Sequence, residues 1–344
     1  MIVVGAMSSH DEQRVIINLA HRCNLPIIAD VTSGLRFFDD SHIIHYADHV
    51  LLNPEFSSQV PDLIIQFGVR ITSKRMNQFL TQRAGLRHIL VTNRTLRHDP
   101  FATVTEVVSN FSENIRGDDN WKAWKEESDR VAYCFDAIFS ECELTEPYVA
   151  RAISKSDWSN RALFLSSSMP IRDMDMFAAP GRTIIDVASN RGVSGIDGVT
   201  STACGYAQGL NKPTTLLIGD LAFLHDANGL SLLSKINIPV VIVVINNQGG
   251  GIFSFLPIAK SVDVFSEFFD TPHSYNLKGL SQTYGVRHQQ LTGRQEFDEA
   301  YAQAISSGSH CVIEVKSNTQ SNLEFHEYIK TQLTASSRLH GPAL

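Results

Sequence analysis

The stretch Thr214-Thr-Leu-Leu-Ile-Gly-Asp220, followed by Val240-Val-Ile-Val-Val-Ile-Asn-Asn247, decides the fold. Thr214–Ile218 and Val240–Ile245 are short apolar β-rich runs, and the helical pattern Ala227–Ser234 lies between them. Strand, helix and strand in that order read as a parallel β-α-β unit. In an open parallel sheet, ligands bind outside the carboxyl ends of the strands. Asp220 and Asn247, 27 residues apart, are therefore expected side by side at one sheet edge.

The same alternation extends outward in both directions. Ala162–Leu165, Thr183–Val187 and Cys311–Val315 read as further strands, with helices at Ile171–Phe177, Thr200–Gln208 and Glu296–Ile305. In the first half, strands are expected at Ile2–Val4, Pro26–Asp30, His49–Leu52, Leu63–Phe67 and Ile89–Thr92. Helical patterns there cover Asp11–Leu19 and Lys74–Gln82. Apolar strands alternating with amphipathic helices imply parallel sheets covered on both faces. The fold class is α/β, with two doubly wound, mostly parallel-sheet domains. Residues 1–111 form the first, 112–145 a linker and helix, 146–335 the second, and 336–344 a frayed tail. Trp121 and Trp124 are expected to pack the linker helix onto one domain. Asp62–Gly68 has the pattern of a central strand ending at a ligand-facing loop, although Gly68 could equally do no more than end the strand.

Composition bounds the function. A chain of 344 residues is longer than one core usually organises. Hydrophobic residues at 43% and charged ones at 19% exclude a disordered or collagen-like protein. With 29 basic and 36 acidic residues, the net charge is −7, and no dense basic run suggests a nucleic-acid partner. The five cysteines are scattered without a CxxC, which favours reduced thiols in an intracellular compartment. The longest apolar run, Ile238–Ile245, is too short to span a membrane. Met1 leads straight into a strand with no signal or transit peptide, so the chain is expected to be one piece of a larger polypeptide.

A carboxylate and a neutral amide oxygen at one sheet edge, without a cysteine or histidine cluster, suit a hard cation such as magnesium. Asp226 is a good N-cap, and a helix starting after it would turn free N–H groups toward a phosphate. Gly249-Gly250-Gly251 would let backbone approach a ligand closely. Taken singly, these features are a strand cap, a turn and a flexible loop. Together they point to a metal-bridged diphosphate.

Gly-Asp, two dozen residues and Asn-Asn resemble the diphosphate-binding signature of thiamine diphosphate enzymes. Gly219–Asp226 and Asn246–Ser254 are more specifically similar to the MenD family, the synthases of menaquinone and phylloquinone biosynthesis. So are Ser189-Asn-Arg-Gly-Val-Ser-Gly-Ile-Asp-Gly198 and Ser167-Ser-Met-Pro-Ile-Arg-Asp173. Leu221 and Gln248 depart from the general signature at positions that are not proposed side-chain ligands. The resemblance implies a central domain followed by a diphosphate-binding domain. It implies that Asp220, Asn247 and the Gly249 carbonyl hold Mg²⁺ (or Mn²⁺), with Gly219 beside the thiamine diphosphate and Ile196 beneath it. Ser168, Arg172 and Arg191 would bind 2-oxoglutarate; planar, permanently charged guanidinium groups suit a dicarboxylate. Lys74 and Arg75 would bind isochorismate, with Ile252 and Leu256 as apolar walls. The implied reaction decarboxylates 2-oxoglutarate and adds the succinyl carbanion equivalent to isochorismate. His225 and His273 receive no role.

The family's amino-terminal pyrimidine domain, which carries the activating glutamate, has no counterpart in this sequence. No catalytic residue is therefore nominated. A homo-oligomer, or a chain supplying that domain, is the expected partner. The alternative is a non-catalytic cofactor-binding remnant that stabilises a full-length synthase. A nucleotide-binding protein is a third reading, resting on Gly5-Ala6-Met7-Ser8-Ser9 without a full GxGxxG. The compartment would be a plastid in a plant or the cytoplasm in a bacterium.

Overall fold

The structure is a computed structural model that describes residues 1–7, 9–93, 99–112 and 114–338. It divides into two compact units. One comprises Met1–Ser140, Asp175–Ile185 and the chain from Ile329; the other comprises Glu141–Met174 and Asp186–Tyr328. The helix expected in the 112–145 segment is Lys122–Glu141. The last helix is Thr319–Arg338, and residues 339–344 of the expected tail lie outside the described residues.

The first unit holds β1 (Ile2–Val4), β2 (Ile27–Ala29), β3 (Ile64–Phe67), β4 (His88–Val91) and β5 (Glu106–Val108). They pair in the order β2-β1-β3-β4-β5, all parallel. Successive strand residues point to opposite faces, and here both faces are buried. Ile2 and Val4 join Ile27, Ile65 and the Ile16–Leu19–Ala20 face of helix His10–Cys23. Val3 instead joins Ile28, Ile64 and the Met76–Phe79–Leu80 face of helix Lys74–Thr81. That explains the unbroken apolar runs. Trp124 packs edge-on against Phe56 and Phe79, as expected of the linker helix. β3 is central, but Gly68 has a local reason: its φ is +69°, and a Cβ would come 2.7 Å from the carbonyl oxygens of Gly5 and Ala6.

One expectation needs correction here, and one strand was not anticipated. His49–Leu52 is not a strand; a helical turn covers Ala47–Val50, and its buried apolar character comes from packing of Val50 in the core and of His49 on Phe135 and Phe177. β5 is a three-residue, partly exposed edge strand, Glu106-Val107-Val108, too short for an apolar run to mark it.

The second unit holds β6 (Ala162–Leu165), β7 (Asp186–Ser189), β8 (Thr214–Gly219), β9 (Val240–Asn246), β10 (Arg287–Leu291) and β11 (Cys311–Lys316). Their order is β10-β11-β9-β8-β6-β7, again all parallel. β10 was also unmarked, since Arg287-His-Gln-Gln-Leu291 is polar and lies at an edge. From β6 the chain runs outward to β7 and returns on the other side at β8, creating a reversal between β6 and β8. Such a switch point opens a crevice at the carboxyl ends of the strands.

Candidate functional site

The register of β8 and β9 pairs Gly219 with Ile245, so Asp220 and Asn247 emerge together at that crevice. A cavity of about 240 Å³ lies there. It is bounded by Ser168, Arg172, Arg191 and Ile196 and by Gly219, Asp220, Asn247, Gly249 and Ile252. Sequence segments from β6, β7, β8 and β9 are thus brought to one place. Leu256 is not among the lining residues and is 40% exposed. Lys74 and Arg75 belong to the first unit; Lys74 is exposed, and Arg75 is ion-paired with Asp48.

The helix that follows β8 corrects a second expectation. It starts at Asp220 itself and spans Asp220–His225. Asp226 does not cap the next segment, Ala227–Lys235, a 3₁₀ helix. Its carboxylate accepts the Ser201 N–H at 2.6 Å and the Ser201 hydroxyl at 3.0 Å, capping helix Val199–Leu210 from outside. Gly198 at that helix's N-cap offers no side-chain oxygen, so a distant carboxylate supplies one.

Asp220 is 2% exposed. Its Oδ1 accepts the Leu221 N–H at 2.7 Å, and Oδ2 accepts the Gly249 N–H at 3.2 Å. Burial raises its carboxyl above the usual range, with the Leu221 and Gln248 N–H groups and His273 partly offsetting the effect. His273 Nε2 stands 3.2 Å from Oδ2 without hydrogen-bond alignment. The two neighbouring asparagines divide their work. Asn246 turns inward, donating to Glu314 Oε1 at 2.6 Å and accepting the Gln248 N–H at 3.1 Å. Asn247 lines the cavity, and its buried Oδ1 has no hydrogen-bond partner.

Glu146 explains which way that amide points. Its Oε1 accepts Asn247 Nδ2 at 3.1 Å and Ser317 Oγ at 2.8 Å. A carboxylate accepting from Nδ2 leaves Oδ1 as the atom presented elsewhere. Burial, then the nearby Asp173 charge, pushes the Glu146 carboxyl up to about 7. A buried acidic oxygen and an unsatisfied amide oxygen beside the glycine run form a donor set that a small hard cation would satisfy.

The backbone around the cavity is held in unusual conformations. Ser168 (φ 77°), Ser194 (φ 62°) and Gln248 (φ 64°) are left-handed without being glycine, at roughly 1–3 kcal/mol each. Ser168 turns the chain back after β6 so that its carbonyl accepts Arg172 Nη1 at 2.5 Å. Gly251 is required sterically, since a Cβ there would meet Asn247 Nδ2 at 2.6 Å. At Gly219 a Cβ would meet nothing within 4 Å, so packing does not demand glycine. Ile196, half-buried, both packs on the unit's core and lines the cavity.

Glu146 and His273 were not nominated from sequence. The partners of Glu146 lie 101 and 171 residues away, and Thr145-Glu146-Pro147 reads locally as a helix start. Size alone would also have misled. A cavity of about 590 Å³ lies in the first unit at the amino ends of β1, β2 and β3, opposite the edge where such sheets bind ligands.

Comparison with known proteins gives the class first. Residues 1–165 match the middle domain of thiamine pyrophosphate enzymes, and residues 176–315 match their C-terminal TPP-binding domain. The 2-succinyl-5-enolpyruvyl-6-hydroxy-3-cyclohexene-1-carboxylate synthase of Chlorobaculum parvum is 37% identical over 347 residues, covering 97% of this chain and 58% of that protein. The synthase of the same name from Chlorobium limicola is 34% identical, with 97% and 59% covered. Protein PHYLLO, chloroplastic, of Arabidopsis thaliana is 34% identical over 96% of this chain and 22% of its own length. The chain thus carries the middle and C-terminal domains of thiamine diphosphate enzymes and is similar along nearly its whole length to these synthases. It spans somewhat under three-fifths of the bacterial relatives it matches. Among the described residues, no helix is long and apolar enough to cross a membrane.

Proposed function

We propose that this chain forms the cofactor- and substrate-binding portion of a synthase that decarboxylates 2-oxoglutarate and adds its succinyl unit to isochorismate, in menaquinone or phylloquinone biosynthesis. One observation carries the reading: buried Asp220 and the unpartnered Asn247 Oδ1 face the same cavity as Arg172 and Arg191.

In this reading Asp220, Asn247 Oδ1 and the Gly249 carbonyl would hold Mg²⁺ or Mn²⁺, which would neutralise the charge of the diphosphate. Thiamine diphosphate, when bound, supplies the electron sink for decarboxylation. Ile196 provides an apolar support beside it, and Gly219 leaves room for it. Ser168, Arg172 and Arg191 bind the carboxylates of 2-oxoglutarate. Closing arginines on a carboxylate away from bulk water strengthens their charge-assisted hydrogen bonds. Ile252 contributes an apolar wall, and Leu256 is assigned the rim of the isochorismate site. Lys74 and Arg75 are assigned to isochorismate's carboxylates, which for Arg75 requires exchanging its pairing with Asp48.

Turnover is proposed to need a pyrimidine-binding domain, supplied by the rest of the polypeptide or by another chain, in a homo-oligomer or a split enzyme. The proposed setting is intracellular, a plastid for a plant protein and the cytoplasm for a bacterial one. The test is calorimetric titration with thiamine diphosphate and magnesium. An assay of carbon dioxide release from 2-oxoglutarate follows, with and without a separately supplied pyrimidine domain. Binding by the chain, with turnover only on addition of that domain, is the expected result. Absence of binding under both conditions overturns the reading.

A further inference from the structure

Three metal-ligating side chains converge in the first unit, apart from the groups the proposed reaction uses. His21 lies in the last turn of helix His10–Cys23, and Asp40 and His42 flank Ser41 just before the Ile43–Ile27 bridge. His21 Nε2 is 2.9 Å from Asp40 Oδ2, and His42 Nδ1 is 3.9 Å from Asp40 Oδ1. One ligand atom from each of the three residues lies within 4.8 Å of the other two.

The cluster is held in place by its own surroundings. Asp40 Oδ1 accepts the His42 backbone N–H at 2.9 Å, which fixes the carboxylate across the turn. Ser41 Oγ lies 3.2 Å from His42 Nδ1. The His21 and His42 rings are 4.1 Å apart, and Trp121 packs 4.8 Å from His42 on the other side. The Asp40 and His42 side chains are only 12% and 13% exposed, whereas His21, at 45%, opens the cluster to solvent. Lys122 is the cation facing His42, and Asp119 pairs with it at 2.9 Å.

We propose that His21, Asp40 and His42 form a binding site for a divalent late transition metal, with Zn²⁺ the ion best matched. Two imidazoles and one carboxylate suit zinc, cobalt or nickel, whereas magnesium and calcium prefer oxygen ligands throughout. Ligand distances of about 2.0–2.1 Å place tetrahedral donors roughly 3.3 Å apart, within the range of separations here. The half-exposed His21 ring closes the site, and solvent takes the remaining position.

Trp121 makes the site readable. The chelator-washed chain is titrated with Zn²⁺ by calorimetry and with Cu²⁺ by tryptophan fluorescence quenching. One saturable equivalent is expected, persisting in excess Mg²⁺ and weakened about 10-fold or more in His21→Ala and in His42→Ala. Trp121→Phe should lose most of the quenching and keep the calorimetric binding. His21→Ala should leave magnesium-dependent cofactor binding unchanged, which separates this proposal from the function proposed above. No saturable Zn²⁺ binding, or binding that both histidine variants leave intact, overturns it.

Discussion

The carboxyl ends of the two parallel sheets are built on the same plan and finished in opposite ways. In the first unit the chain fills its own edge. The Gly5 and Ala6 N–H groups donate to the Phe67 and Val69 carbonyls at 2.8 and 2.6 Å. Asp30, at the end of β2, is saturated by the Thr32 N–H and hydroxyl and by the Thr72 N–H. Asp175 accepts the Val31 N–H at 2.9 Å, and Arg36 donates to the Asp175 and Ala178 carbonyls. A cavity of only about 20 Å³ remains there. In the second unit the equivalent edge keeps about 240 Å³, an unpartnered amide oxygen and a buried carboxylate with no aligned cation. Topology makes a crevice available; whether it binds anything depends on whether the protein's own groups satisfy its polar atoms. The Gly5–Ser9 loop, a weak nucleotide signal, is occupied by backbone in this way, with Ser8 itself outside the described residues.

The sharpest way to break this contrast is Asp220→Ala. It should abolish magnesium-dependent thiamine diphosphate binding by calorimetry while leaving the fold intact; unchanged affinity would remove the cation from the site. A glycine exchange then separates packing from binding. Gly5→Ala drives a Cβ into the Val69 carbonyl and should cost on the order of 3 kcal/mol in denaturant unfolding. Gly219→Ala should change stability by no more than about 0.5 kcal/mol, yet weaken cofactor binding. If both substitutions destabilise equally, the second edge is not open in the sense argued here.

Glu146 supplies a pH-dependent test. Burial pushes its carboxyl up to about 7, above the ordinary glutamate value of 4.5, so the folded state holds the proton more tightly than the unfolded chain. Its contribution to stability is complete below pH 4.5 and is lost as pH rises toward 7, on the order of 3 kcal/mol. Glu146→Gln, which cannot ionise, should flatten that fall in unfolding measurements across pH 4.5–8; a parallel decline in both proteins would refute the assignment. The same side chain should also affect ligand affinity. Glu146→Ala frees the Asn247 amide and should weaken magnesium-dependent binding about 10- to 100-fold, with Glu146→Gln restoring most of it.

Much of this was legible before folding, for a simple reason. Strands buried on both faces are mostly apolar, so β1, β6 and β9 announced themselves as apolar runs, and β3 and β8 did so despite Gln66 and the Thr214–Thr215 pair. The edge strands β5 and β10 did not, because one side of an edge strand has no sheet neighbour and their side chains remain partly exposed. Ala47–Val50 misled for the converse reason: a short helical turn buried all round carries the same apolar signal as a strand.

The division at the site follows the range of the interactions. Asp220, Asn247 and the glycines after β9 could be read because strand order alone delivers strand ends to one edge. Asp226 was read as a local cap, but its carboxylate is spent on Ser201, 25 residues back. Glu146 lies more than a hundred residues from the asparagine it orients, and His273 reaches Asp220 only because its segment folds back along the glycine loop, donating the His273 N–H to the Gln248 carbonyl. Sequence by itself determined the apolar strands, their parallel sense and the ligand-type residues at their ends, since periodicity and chain direction are local properties. Only the tertiary structure decided which polar atoms stay unsatisfied and which way Asn247 points, since those depend on partners that folding brings in from far along the chain.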